Sequence, residues 1–257
     1  MTKRSFFKQY FLPFIFFVLV STKLSAQKVY PTYDLQEIKS SSVDSLKQLY
    51  GKNKQLPKGY ELQALLALSH YPELKDVKIK FKMKKGGAPF VSRPTAWSTF
   101  FKRKSKRDYL IFIRTKSHSM FDPILMQNMP FDAQVGVLGH ELGHTADYIH
   151  RGFGKMMKVV FGNLSYKFLD KFEFETDRRA VHHGLGFQIL AWSEHAIQTL
   201  RVNEPPPGAK TGKFEGIMER ERYMRPNTIR KEMSGLRIYD DFMAGNTVDK
   251  TPSSSNQ

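Results

Sequence analysis

Between Val77 and Lys85 the chain alternates without a break, VKIKFKMKK, setting Val77, Ile79, Phe81 and Met83 on one side and lysines on the other. A period of two with one apolar face predicts a half-buried β-strand whose outer face is wet. YLIFIRT, residues 109–115, reads as a second and more apolar strand, and the turn-rich GGAPFVSRPT lies between the two as a connection. Upstream, SSVDSLKQLYGKNKQLPKGY and ELQALLALSHYPEL predict two short helices. Leu62, Leu65, Leu66 and Leu68 supply the apolar positions of the second, and Pro72 ends it.

From Asp132 the pattern becomes helical. Asp132, after Pro130, is the expected N-cap of a helix running to His150. Further helices are expected over about 155–169, 170–183 and 187–201, with Gly152, Gly154, Gly184 and Gly186 between them. NEPPPGAKTG reads as a linker, KFEGIMERERYM and NTIRKEM as a C-terminal helical pair, and NTVDKTPSSSNQ as a disordered tail. Strands early and helices late predict an α+β fold, a small antiparallel or mixed sheet followed by a helical half. The expected division is 1–26, 27–202, 203–245 and 246–257.

Composition changes this picture in two ways. Cysteine is absent, which excludes disulfides and thiolate metal sites. The balance of 41 Lys+Arg against 24 Asp+Glu gives +17, a charge that favours polyanionic contacts. Lys3, Arg4 and Lys8 precede the apolar run FLPFIFFVLV, and Ala26 is a small residue before Gln27. That order predicts a signal peptide cut after Ala26, and hence an exported periplasmic, envelope or secreted protein, membrane-anchored only if uncleaved. Residues 1–26 hold four Lys+Arg and no acid, so cleavage lowers +17 by four to +13. Export leads away from nucleic acid and leaves an anionic envelope surface as a possible partner. The densest basic stretch, FFKRKSKRDY, reads as a solvated loop.

The candidate chemistry lies in GHELGHTADYIH, residues 139–150. Wound as a helix, Val135, Leu138, Leu142, Ala146 and Ile149 share a core face, while His140 and His144 stand one turn apart on the opposite side. Two imidazoles at i, i+4 aim at one point, as tetrahedral Zn²⁺ requires, and Glu141 is placed to act as general base on a water. Gly136, Gly139 and Gly143 flank the histidines, and each costs about 1 kcal/mol against Ala in a helix, so a close neighbour is expected there.

Two third ligands compete. H-E-x-x-H-x-x-D-x-x-H puts His150 at the metzincin position, although Asp147 stands where that pattern turns on a glycine. Downstream, DKFEFETDRRAVHHG carries Glu173 and Asp177 four apart on a predicted helix. H-E-x-x-H followed by E-F-E-T-D resembles the gluzincin metallopeptidases, nearest to the branch of the CAAX prenyl proteases and bacterial heat-shock membrane proteases. The resemblance covers roughly 76–185 and implies a zincin-like domain with Glu173 as third ligand. It implies that Asp177 accepts a hydrogen bond from a zinc-bound histidine. The multiple membrane spans of those families are missing, so their substrates do not transfer.

Asp147 projects to the histidine side and is a further candidate for supporting a ligand. His182 and His183 are expected to end the glutamate helix. They are candidate transition-state stabilisers, and Tyr148, His195, Tyr223 and Tyr239 are candidate oxyanion donors. His70 and His118 read as helix-end and loop residues. The expected function is an exported zinc metallopeptidase acting on a peptide or protein, with YLIFIRT as the edge strand that pairs with it. The alternatives are a zinc hydrolase of an envelope amide, or a basic binding module with a structural or vestigial zinc site.

Overall fold

The computed structural model describes residues 28–34, 38, 40–162, 164–200 and 221–243. The expected signal peptide, the linker and the tail lie outside the described residues. The fold is α+β, with a four-stranded mixed sheet and a majority of helix.

The strands are β1 (Lys54–Gln55), β2 (Lys78–Lys85), β3 (Phe90–Pro94) and β4 (Asp108–Lys116), ordered β1-β2-β4-β3. β1 and β4 pair parallel to β2, and β3 pairs antiparallel to β4 with Ser92 opposite Ile111. The alternation of β2 is realised, since Ile79 and Phe81 are buried while Lys78, Lys84 and Lys85 face solvent. On the outer face, Lys84, Arg93 and Arg114 place their cations 5.1–5.6 Å from the Phe112 ring and shield it from water.

Two expectations for the sheet are corrected. YLIFIRT lies inside β4, which has β2 on one side and β3 on the other, so it is not an edge. The edges are β1 and β3, and β3 lies within the stretch expected to be a connection. Gly86 and Gly87, both at positive φ, let the chain turn back at that point. Of the basic stretch, Phe100 and Phe101 belong to a short helix, α3 (Ala96–Phe101), and Asp108 and Tyr109 to β4, while the cations between them lie outside both.

The other α-helices among the described residues are α1 (Ser40–Tyr50), α2 (Glu61–Ser69), α4 (Phe131–His150), α5 (Phe153–Gly162), α6 (Tyr166–Ala180), α7 (Gly186–Thr199), α8 (Pro226–Ser234) and α9 (Asp240–Met243). None of the described helices is long and apolar enough to cross a membrane. Helix α4 starts one residue before Asp132, with Pro130 at the cap position. Asp132 instead accepts hydrogen bonds from Thr32, the Tyr33 backbone and Gln188, pinning the N-terminal segment to the core.

Helix α4 is more than amphipathic. From Val135 to Ala146 every residue is buried, with α2, α6, α7 and β3 packed around it. The glycines permit this enclosure. A Cβ on Gly136 would sit 2.1 Å from the Gln188 carbonyl oxygen, and one on Gly139 would sit 2.4 Å from Leu185. The helical path of α6 ends at the histidine pair, as expected: His182 and His183 lie in the turn Val181–Leu185, Gly184 breaks it at φ +83°, and α7 starts afresh at Gly186. Of the helix expected over 213–224, residues 213–220 lie outside the described residues and 221–224 are a non-helical strap, while NTIRKEM falls within α8.

Candidate metal centre

Helix α4 contributes His140, Glu141 and His144, all buried, and α6 lies alongside it with Glu173, Thr176 and Asp177 facing them. The Nε2 atoms of His140 and His144 stand 3.0 and 3.2 Å from the same Glu173 oxygen, Oε2. One donor atom from each of the three residues falls within 4.8 Å of the others, and the group can hold a metal ion. Tetrahedral donors about 2.0–2.1 Å from a common centre lie about 3.3 Å apart, so the spacing fits such an ion.

The outer nitrogens set the tautomers. His140 Nδ1 donates to Asp177 Oδ1 at 2.7 Å. The Thr176 hydroxyl donates to the Phe172 carbonyl at 2.8 Å, which leaves its oxygen to accept from His144 Nδ1 at 3.2 Å. With both Nδ1 atoms donating outward, both Nε2 lone pairs are directed inward. Asp177 is itself held by the Met224 backbone N–H at 2.8 Å.

The charges are interdependent. Burial alone lowers the His140 pKa, but Asp177 and Glu173 raise it well above the usual histidine range. Burial alone raises that of Glu173, yet the imidazoles of His144 and His140 hold its carboxyl well below the usual range. Glu141 is raised by burial, and the nearby histidines offset this only in part. The Ser92 backbone on edge strand β3 faces the Glu141 carboxylate and slightly favours its charged form, whereas the buried Oε2 has no hydrogen-bond partner. An unsatisfied buried carboxylate oxygen beside three converging ligand atoms fits a site built for an ion and a polar reactant.

The structure separates the remaining candidates. Helix α4 continues unbroken through Asp147 to His150, which is exposed at its end and outside the three-residue cluster. Asp147 touches no ligand histidine. It pairs with Arg151 and with Arg179, whose other arm donates to the Gly143 carbonyl. His182 pairs with Glu232, and His183 donates to the Arg179 carbonyl and pairs with Glu73 at 2.9 Å. His195 binds the Pro123 carbonyl and Tyr239 donates to that of Val181, both in structural roles. His70 is buried between the Tyr33 hydroxyl and the His183 carbonyl, and His118 caps a turn.

Two tyrosines do reach the site. Tyr148 is buried and stacks on His144 and Phe172. Tyr223 lies with its ring 5.7 Å from that of His140 and keeps 38% of its surface accessible. Its inner side is desolvated, which with Glu173, Asp177 and Glu141 keeps the phenol protonated. The strap that carries it is tied on both sides, by Arg222 to Asp170 at 2.6 Å and by Met224 to Asp177. Sequence reasoning missed Thr176, Ser92 and this strap. Thr176 was within reach, since it follows Glu173 by three residues and so shares its helix face. Comparison with protein-family models, curated proteins and solved structures finds no match to this chain.

Proposed function

We propose that the chain is an exported zinc metallopeptidase of the gluzincin type, with His140, His144 and Glu173 as metal ligands and Glu141 as general base. The observation that carries this reading is the convergence of two histidine Nε2 atoms and one Glu173 oxygen beside the unpartnered Glu141 oxygen. Bound there, Zn²⁺ would supply Lewis acidity, polarising a scissile carbonyl and acidifying a water.

The other steps belong to the protein. Glu141 accepts the proton of the attacking water and returns it to the leaving amine nitrogen. The Tyr223 phenol, accessible and protonated, donates a hydrogen bond to the oxygen on which charge develops. No further strand pairs with β3 among the described residues, so its free edge offers backbone groups to an extended peptide. Ser92 on that edge faces the Glu141 carboxylate. The basic n-region and the apolar run at the N-terminus support export.

The test is zinc content and cleavage of an unfolded protein substrate by the full chain. Wild type is expected to bind one zinc and cleave, Glu141→Gln to bind zinc without cleaving, and Glu173→Ala to lose zinc while remaining folded. Zinc retained in Glu173→Ala, or cleavage unchanged in Glu141→Gln, refutes the assignment.

A further inference from the structure

Helix α3 is packed with the wrong side inward for a protein surrounded by water. Its polar Ser98 and Thr99 are buried, while Trp97, Phe100 and Phe101 are 60–68% exposed. Trp97 and Phe101 have their ring centroids 4.1 Å apart and so lean on each other rather than on the core. Helix α5 buries an apolar side but also leaves large apolar residues outside. Met156 and Val159 are its only buried residues, while Phe161 is 67% exposed and Leu164, just beyond it, 84%.

The two segments form one surface. Phe100 packs on Phe153 with centroids 5.6 Å apart, and Arg107 donates to the Arg151 carbonyl at 2.7 Å, tying the α3 loop to the α4–α5 junction. Of the twelve large apolar side chains exposed among the described residues, eight lie in 97–101 and 153–166, so the exposure is concentrated rather than scattered.

Charge identifies the occupant. Segments 96–107 and 153–167 together hold eight Lys+Arg and no Asp or Glu. Arg103, Lys104, Lys106, Lys155 and Lys158 are all solvent-facing around the aromatic patch. Aromatic rings and aliphatic side chains ringed by long-stemmed cations match the boundary of an anionic bilayer, where the rings enter the headgroup layer and the ammonium groups meet phosphates. A second copy of this surface would set like charges against each other. Nucleic acid would gain stacking from the rings but nothing from Val160 and Leu164.

We propose that the surface formed by α3 and α5 docks on an anionic phospholipid membrane. This inference stands on the surface alone and not on the chemistry at His140. It has a geometric consequence for the site nonetheless. Gly162 at the end of α5 abuts Phe168, which stacks on Phe172, which packs on His144, so docking holds the candidate metal centre close to the bilayer.

The chain has two tryptophans, so Trp192→Phe leaves Trp97 as the only reporter. The apolar run at residues 11–20 can itself enter a bilayer. The readout is therefore the environment of Trp97 in the full chain, not co-sedimentation. On vesicles of phosphatidylglycerol with phosphatidylcholine, the Trp97 emission is expected to shift to the blue and to be quenched by brominated acyl chains. Salt at about 1 M, where the screening length is about 3 Å, should reverse the shift. Lys104→Gln with Lys158→Gln should weaken Trp97 docking by about 30-fold, and Phe101→Ser with Phe161→Ser should abolish quenching without moving the melting temperature. The proposal is overturned by a Trp97 that stays in water on these vesicles, or by an equal shift on phosphatidylcholine alone. A shift produced by a single-stranded oligonucleotide, or by protein concentration without lipid, overturns it equally.

Discussion

The α4–α6 pair and the α3–α5 surface are made from similar kinds of residue, aromatics and charged side chains, yet they are built in opposite ways. In the interior pair each of the two histidines is held by a second group. Asp177 orients His140, Thr176 orients His144, and Met224 in turn holds Asp177. On the surface, Arg103, Lys104 and Lys106 face solvent and the aromatic rings have little beneath them. A site that must present donor atoms to within a few tenths of an ångström needs rigid support, whereas a surface that meets a fluid partner needs only composition and charge.

Substitutions that cross this divide should differ in kind, and the largest effect belongs to the interior. Glu141→Gln is expected to lower hydrolysis about a thousandfold while leaving zinc content and melting temperature unchanged, a combination that steady-state kinetics and metal analysis read together. Asp177→Asn should weaken zinc affinity about 10- to 100-fold, measured by competition with a chromogenic chelator, because the His140 tautomer loses its anchor.

Next in size is a pH effect. Burial lowers the His70 pKa from its ordinary value to about 4. Below pH ~6.5 the unfolded chain therefore takes up a proton that the folded one refuses, and stability is lost progressively as pH falls towards about 4, by up to about 3 kcal/mol. The difference between the denaturation curves of wild type and His70→Gln over that range isolates the term. An unchanged difference from pH 7 to 4 would contradict it.

Gly136→Ala drives a methyl group against the Gln188 backbone and should cost about 1–3 kcal/mol by urea denaturation, despite the better helix propensity of alanine. At the small end, Trp97→Ser and Phe161→Ser should each change stability by less than about 0.5 kcal/mol. A larger loss there would erase the contrast between the two regions.

The sequence disclosed the two regions unequally. The strand at 78–85 and the helix around His140 were legible because their hydrophobic periods are local and unbroken. Glu173 and Asp177 were reached through a resemblance, and Thr176 and Ser92 were not reached at all. Thr176 supports His144 only because α6 lies beside α4. Ser92 matters only because a turn through Gly86 and Gly87 converts a supposed connection into an edge strand. The misplacement of YLIFIRT at an edge has the same source. An apolar strand is recognisable from its side chains, but its neighbours are chosen by the topology.

By itself, then, the chain determined the strand at 78–85, that one helix carries two imidazoles a turn apart, and that cysteine chemistry is excluded. It also determined that the segments later forming the α3–α5 surface are basic and free of acids. Only the tertiary structure decided that Glu173 faces the histidine pair while His150 points away, that α4 is enclosed on all sides, and that two distant basic segments share one face. The reason is physical. Periodicity is dictated by bonds between near neighbours, whereas convergence across 29 to 37 residues depends on how whole elements pack.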